Sequence, residues 1–480
     1  MKQKLAIALL CLLTLPALAV QHIRWGSSGN PLNGLTITWS NNGASDSIRW
    51  GYTNNYEKGT YAGTRRNGYT GYFFKYVFPV VNANSTLHYE LYDSGTHSWQ
   101  GMKTFRTAPP VNTTNFSFCA LGDSRNGLSA WQQVSDLANS QRASFTLYNG
   151  DIVDNAGSPS EWDGWFNSGT AYLENNLVYH ALGNHDAASV PTYTNIFDLP
   201  QVNNSNLYYS FTYGNAIFIT LNSENPSDPA QTAWLVNTLA AAATNPAITW
   251  KVISFHRPFY TIGNHSGEMN AYFNTWWKAF DDYGVDLIVN GHDHMYERTK
   301  PINRNVSTTS PVSVYGSLPG QGRCEIVCGG AGAPLYTGSP TWSVEQYHST
   351  YNFCKFNING SVLTDTTYDN NGNVIDAFSI DKTSLSTGVG NNNSTVFHSI
   401  AVYPNPVATD LTLKYTSSSR GEATVRIFDI EGREVLNKKV LKEEDILKMT
   451  IDMSIYASGT YVVQVMIDDQ KDNTLVIVRQ

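Results

Sequence analysis

Five times between residues 111 and 383, an apolar, strand-like run stops at a short turn that presents a side chain able to ligate a metal. FSFCALGD leads to Asp123, ASFTLYNGD to Asp151, LVYHALGNHD to Asn184 and His185, ITWKVISFH to His256, and DLIVNGHDH to His292 and His294. One Gly-Asp or Gly-Asn turn does no more than end a strand. Five in succession, each offering an N or O donor, require a fold that aligns strands and delivers their ends to one edge of a layered sheet, where α/β proteins assemble sites. The stretches GLSAWQQVSDLANSQ, DPAQTAWLVNTLAAAATN and GEMNAYFNTWWKAFDDYG between the runs are amphipathic at helical spacing, so the segment reads as α/β layers. Five of the 11 histidines, His185, His256, His265, His292 and His294, lie in or near these turns.

Carboxylate, carboxamide and imidazole donors without thiolates suit zinc, iron or manganese. Enough of them are present for two metal ions that share Asp151.

Outside this segment the pattern changes. Residues 20–110 hold the short β-like runs LTITWS, SIRWGY, YFFKYVFPV, LHYELYD and KTFRT between Asn/Gly-rich turns, as in a β-sandwich. Residues 384–399 are small and polar, the composition of a linker. Beyond them, residues 401–480 carry 10 basic and 12 acidic side chains, against 15% charged for the whole chain. That shift, with runs such as LTLKY, ATVRIFD and TYVVQVMID, marks a third unit over 400–480, a small C-terminal β-sandwich. A chain of 480 residues has room for two to four such units.

Lys2 and Lys4 precede an apolar run that ends in Ala17-Leu18-Ala19, the pattern of a signal peptide over residues 1–19, cleaved after Ala19. Cys11 lies inside that run, which argues against lipid attachment. No later run is long and apolar enough to span a membrane, so the mature chain is expected to be soluble with no transmembrane segment. Cys119, Cys324, Cys328 and Cys354 remain, an even number in an exported chain. A single C-x-x-x-C is a poor zinc signature, leaving buried strand cysteines or one disulfide. A net charge of -8, a pI near 5.8 and the lack of any Lys/Arg cluster argue against a stable nucleic acid partner. A phosphorylated small-molecule or peptide substrate is compatible with them.

Taken in order, GD, GDxxD, GNHD, a single His after a strand and GHDH resemble the calcineurin-like metallophosphoesterase family. GHDHMYER is similar to the purple acid phosphatase version of the last motif. The resemblance covers residues 111–383 and implies a four-layer α/β sandwich. The preceding segment is similar to the fibronectin type III-like domain found before purple acid phosphatase catalytic domains. Position by position, the family implies Asp123, Asp151 and His294 for the first metal, and Asp151, Asn184, His256 and His292 for the second. Two departures stand out. Asp154 occupies the place of a Tyr that purple acid phosphatases carry three residues after the bridging Asp, and Arg125 the place of a His that many other members carry. The first metal therefore lacks one usual protein ligand. GDIVD also resembles the GDxVD of protein serine/threonine phosphatases, so Asp154 is expected to orient His185; an Asp capping its turn is the alternative.

The chemistry so implied is phosphoric ester hydrolysis at a dinuclear centre, with a metal-bound hydroxide attacking phosphorus in line. His185 is the expected general acid. His265 stands at the spacing of a substrate-side histidine in plant-type purple acid phosphatases, or is a solvated loop residue. Arg125 suits phosphate oxygens bidentately, or forms a salt bridge. Tyr296, Glu297 and Arg298 are expected to pack behind and support the ligands. A phosphomonoesterase is the expected activity. A phosphodiesterase or nucleotidase with the same core and, in another class, a surface binding protein with a degenerate metal site are the alternatives.

VYPNPV at 402–407, IFDIEGREV and SGTYVVQV resemble the C-terminal sorting domain of the type IX secretion pathway, with an accessory module such as a carbohydrate-binding one as the alternative. The resemblance implies export to the periplasm, passage across the outer membrane by the type IX secretion machinery with loss of the tail, and a secreted or cell-surface protein.

Overall fold

The five apolar runs that end at donor residues all form strands: Asn115–Leu121, Phe145–Tyr148, Val178–His180, Trp250–Ser254 and Leu287–Asn290. The computed structural model describes residues 20–41, 46–303, 315–316, 321–382, 398–404, 407–417, 420–429, 433–467 and 470–479. The five strands divide between two sheets, which corrects the expectation of one shared edge. The first three lie parallel in a six-stranded sheet that continues as an antiparallel meander through Asn352–Asn359, Val362–Asp369 and Val374–Asp381. The other two lie parallel in a seven-stranded sheet, between Ala216–Thr220 and Cys324–Cys328.

Side-chain alternation explains the arrangement. Phe218, Val252, Leu287 and Val289 join a core shared with Phe118, Phe145 and Phe356 of the other sheet. Their neighbours Ile219, Ile253 and Ile288 join a second core beneath helices. Strands buried on both faces need a layer on each side. Phe218 meets Phe118 and Phe145 edge-on at 5.1 and 4.9 Å between the sheets. The helix Leu128–Ser140 buries Trp131, Val134 and Ala138 outside the first sheet. Outside the second lies Pro229–Thr244, started by Pro229 and capped by Asp228, whose carboxylate accepts from the Ala230 N–H at 2.9 Å.

The third helical stretch does not form one helix. It runs as a 3-10 turn, Asn270–Tyr272, a π-helical turn, Phe273–Trp277, and a short α-helix, Lys278–Asp282. Adjacent residues of a regular helix point roughly 100° apart. The wider turn lets both Trp276 and Trp277 reach the core, against Phe255 at 5.7 Å and Phe259 at 5.3 Å.

All five quoted runs of the N-terminal segment are strands, Leu35–Asn41, Ser47–Gly51, Tyr72–Val77, Thr86–Asp93 and Lys103–Arg106, in sheets of four and five strands around Trp25, Trp39, Trp50 and Tyr89. This unit docks on the central one at Asp198, whose buried carboxylate accepts from Thr38 at 2.6 Å and pairs with Arg66 and Lys75 at 3.0 and 2.7 Å. From His398 onward, sheets of three and four strands enclose a separate core that includes Leu411, Leu413, Val425, Ile427, Val463 and Val465. The expected signal peptide and residues 384–397 of the expected linker lie outside the described residues. Cys119, Cys324, Cys328 and Cys354 are buried on strands and unpaired, so the disulfide alternative is not realised. No helix among the described residues is long and apolar enough to cross a membrane.

Candidate metal centre

The turns that end the five strands hold unusual backbone. Asp123, Asp151 and His292 adopt left-handed φ values of 63°, 53° and 72°. For residues with a Cβ this costs roughly 1–2 kcal/mol each. Hydrogen bonds among the turns compensate. Asp123 N–H donates to the Gly150 carbonyl at 2.9 Å, His185 N–H to Asp151 Oδ1 at 3.0 Å, and His292 N–H to both Asp123 carboxylate oxygens at 3.0 and 2.9 Å. A Cβ on Gly183 would collide with Asp151, and one on Gly291 with the Asp123 carboxylate, which accounts for the glycines of GNHD and GHDH.

Two groups of buried donors result, Asp123, Asp151 and His294 in one, and Asp151, His256 and His292 in the other, each with ligand atoms within 4.8 Å of one another. They share Asp151. Asn184 joins the second group, its Oδ1 standing 3.0 Å from His256 Nε2.

Hydrogen bonding assigns the ring protons and tests whether these residues fit a cation. His256 Nδ1 donates to the Asn149 carbonyl at 2.8 Å, so its Nε2 lone pair faces Asp151 Oδ1 at 3.3 Å and His292 Nδ1 at 3.0 Å. His292 Nε2 donates to Glu268 at 3.1 Å, leaving Nδ1 directed inward. His294 Nδ1 donates to the Pro334 carbonyl at 2.8 Å, leaving Nε2 toward Asp123 at 3.8 Å. Acceptors therefore confront acceptors, with outer partners fixing each ring as they do around metals. The residues fit a pair of metal ions.

The electrostatics show the same demand for positive charge, met by a proton on His256 Nε2 when no ion is bound. Burial opposes the Asp151 charge, yet His256 holds the carboxyl below the usual carboxylate range. Burial and the neighbouring Asp151 push Asp123 well above it, although His256 works the other way. Burial would lower His256, but Asp151 and Asp123 push it up to about 10. Burial, then His256, hold His292 far below an ordinary imidazole, and burial brings His294 down to about 4. Positive charge between the two carboxylates relieves both.

The remaining predicted residues gather around this centre. His185 Nδ1 donates to the Asp154 backbone carbonyl at 2.6 Å, while the Asp154 carboxylate, 3.3 Å from that nitrogen, binds Arg125 Nη1 at 2.7 Å. Asp154 thus meets His185 more closely through its backbone than through its side chain. Arg125 also lies 3.4 Å from Asp151 and 3.4 Å from His294 Nε2. His265 stacks on His292 at 3.8 Å and is held by Asp293 at 2.8 Å. Tyr296 and Arg298 bind Asp376 at 2.8 and 2.6 Å, bracing the strand behind the ligands, and Glu297 accepts from the Ile262 N–H at 2.9 Å.

Sequence reasoning missed three neighbours. Glu268 holds His292, Arg257 pairs with Glu224 and Glu268 beside it, and Tyr336 stacks on His294 at 4.1 Å. The first two sit within or next to HRPFYTIGNHSGE, directly after His256 and three residues after His265. Nothing around Tyr336 marked it.

Residues 116–296 match the calcineurin-like phosphoesterase family, and residues 401–479 match the secretion system C-terminal sorting domain. The chain therefore carries a calcineurin-like phosphoesterase domain followed by a type IX sorting domain. An uncharacterized protein of Mycobacterium tuberculosis is 29% identical over 290 residues, covering 50% of this chain and 53% of its own. Probable inactive purple acid phosphatase 27 of Arabidopsis thaliana is 27% identical over 279 residues, covering 52% and 44%. The chain spans about half the length of these curated relatives. The purple acid phosphatase of yellow lupin (Lupinus luteus) seeds has the same fold, with a TM-score of 0.65 at 19% identity over 78% of each chain.

Proposed function

We propose that this protein is a dinuclear metal-dependent phosphoric ester hydrolase of the purple acid phosphatase type, a phosphomonoesterase exported by the type IX route. The observation that carries the proposal is the membership of Asp151 in both donor groups, which makes one site for two adjacent ions. Asp123, Asp151 and His294 would hold one ion, and Asp151, Asn184, His256 and His292 the other. Bound there, the ions would supply Lewis-acid stabilisation of the charge on the phosphoryl oxygens and acidify water for attack.

The chain's own groups do the rest. His185 has Nδ1–H tied to the Asp154 carbonyl, so Nε2 is the nitrogen from which the imidazolium would hand its second proton to the departing oxygen. Asp293 fixes His265 on the His292 ring, which orients a donor toward the substrate side. Arg125 and His265 bind phosphate oxygens and choose the orientation of the ester.

A panel of chromogenic phosphate monoesters and diesters, assayed before and after chelation and after return of zinc, manganese or iron, tests this reading. Monoester hydrolysis lost on chelation and restored by metal supports it, and hydrolysis indifferent to chelation defeats it. The binding-protein reading keeps one supporting observation, an arginine at the edge of the first-metal group. It predicts bound metal with no turnover of either ester class.

A further inference from the structure

A guanidinium faces two of the three residues of the first-metal group. Arg125 Nε lies 3.4 Å from Asp151 Oδ2, Nη2 lies 3.4 Å from His294 Nε2, and Nη1 is anchored on Asp154 Oδ1 at 2.7 Å. His294 commits its Nδ1 proton to Pro334, so its Nε2 offers a lone pair, and Arg125 is the donor that takes it. A guanidinium stays charged in proteins. It therefore meets an ion held by Asp123, Asp151 and His294 as a like charge, and it competes for the same lone pair.

The second group is arranged differently. Its nearby guanidinium, Arg257, contacts His292 only at the outward Nε2, 3.2 Å away, and is neutralised by Glu224 and Glu268. Nδ1 of His292 and Nε2 of His256 meet no guanidinium or ammonium group in these contacts.

We propose that Arg125 is a built-in competitor for the first metal, so that the chain holds one ion firmly on Asp151, Asn184, His256 and His292 and exchanges the other. Asp154 sets the strength of the competition, because its carboxylate anchors Arg125 and offsets its charge. The inference rests on the dinuclear reading above. It predicts opposite effects for the two halves of one ion pair. Arg125→Gln removes the like charge and frees the Asp154 carboxylate beside the first group, so the exchangeable ion tightens. Asp154→Asn leaves the guanidinium uncompensated, so the same ion weakens. A pair that only held the loop together would move both variants in one direction.

The test is calorimetric titration of chelated full-length protein with zinc or manganese, with ions counted by mass spectrometry after dialysis. Wild type should show one firm ion and one at least about tenfold weaker, a modest share of what an unscreened like charge at this distance could do. Arg125→Gln should tighten the weak ion by about tenfold or more, Arg125→Lys should leave it weak, and Asp154→Asn should weaken it further, with the firm ion unchanged throughout. Two equally firm ions in wild type, or a weaker second ion in Arg125→Gln, would overturn the inference. His292→Ala keeps the two levels apart: it should abolish the firm ion, and if that ion survives, the dinuclear assignment itself is wrong.

Discussion

The backbone N–H of His292 donates to both carboxylate oxygens of Asp123, at 3.0 and 2.9 Å, and so ties the turn that ends one sheet's strand to the turn that ends the other's. The same carboxylate belongs to the first-metal group, which gives Asp123 two separable roles. In chelated protein Asp123→Ala leaves a buried N–H without an acceptor and should cost about 1–3 kcal/mol. Asp123→Asn retains an acceptor and removes the charge that crowds Asp151, so its stability should match or exceed wild type. Both should lose the first ion. Urea unfolding beside metal counting separates the roles, and equal destabilisation by Asn and Ala would show that the clamp is not what holds the turns.

Asp154 follows Asp151 by three residues, at the place where purple acid phosphatases carry a tyrosine, and its side chain turns to Arg125. Iron-loaded protein should therefore lack a tyrosinate charge-transfer band in the visible spectrum. Tyr336, stacked on His294, is a tyrosine that could contradict this. A coloured preparation that bleaches on Tyr336→Phe would identify it as an iron ligand.

The candidate donors were legible because each sits in a turn that ends an apolar run, and the order of the turns survives any rearrangement of the strands. Which run goes to which sheet was not, although the family resemblance implied a four-layer sandwich. Runs such as AIFI and LIV are apolar on both faces, so the alternation that sends Phe218 and Ile219, or Leu287 and Ile288, to different cores leaves no polar mark in the sequence. Arg125 and Asp154 were each singled out, yet their pairing across two turns follows only from the packing of Asn115–Leu121 beside Phe145–Tyr148. Glu268 and Tyr336 reach their histidines across long stretches of chain, and no local pattern foretells such contacts. The π-helical turn answers to the tryptophan pair, whose helical spacing looked regular.

Acid should loosen the contact between the N-terminal and central units. His22 stacks on Phe166 at 4.6 Å, and burial holds its pKa down at about 4, partly offset by Asp163 3.8 Å away. Above the ordinary imidazole value near 6.5 both folded and unfolded chains leave it neutral, and it has no effect. As the pH falls from 6.5 toward 4, the unfolded chain takes up a proton that the folded chain refuses. Stability should therefore decline through that window, by about 3 kcal/mol at most. His22→Phe keeps the stack and should flatten this part of the profile, measured by thermal unfolding between neutral pH and pH 4. An unchanged profile would place the acid sensitivity in another group, such as the buried His180.

The tail should be dispensable for catalysis and necessary for the last step of export. Its core, built around Leu411, Val425 and Val463, shares no residue with the cores that carry the metal centre. Among the described residues, none of the candidate ligands or their hydrogen-bond partners comes from beyond Asp376. Protein cut before His398 should thus keep its metal content and turnover when purified. In a host with the type IX machinery the same deletion should hold active enzyme in the periplasm, because the sorting domain over 401–479 is the missing address. Native secreted protein should correspondingly end near residue 400, which intact mass would show. Normal secretion without the tail, or a released enzyme that still carries it, would instead assign this unit to binding at the surface.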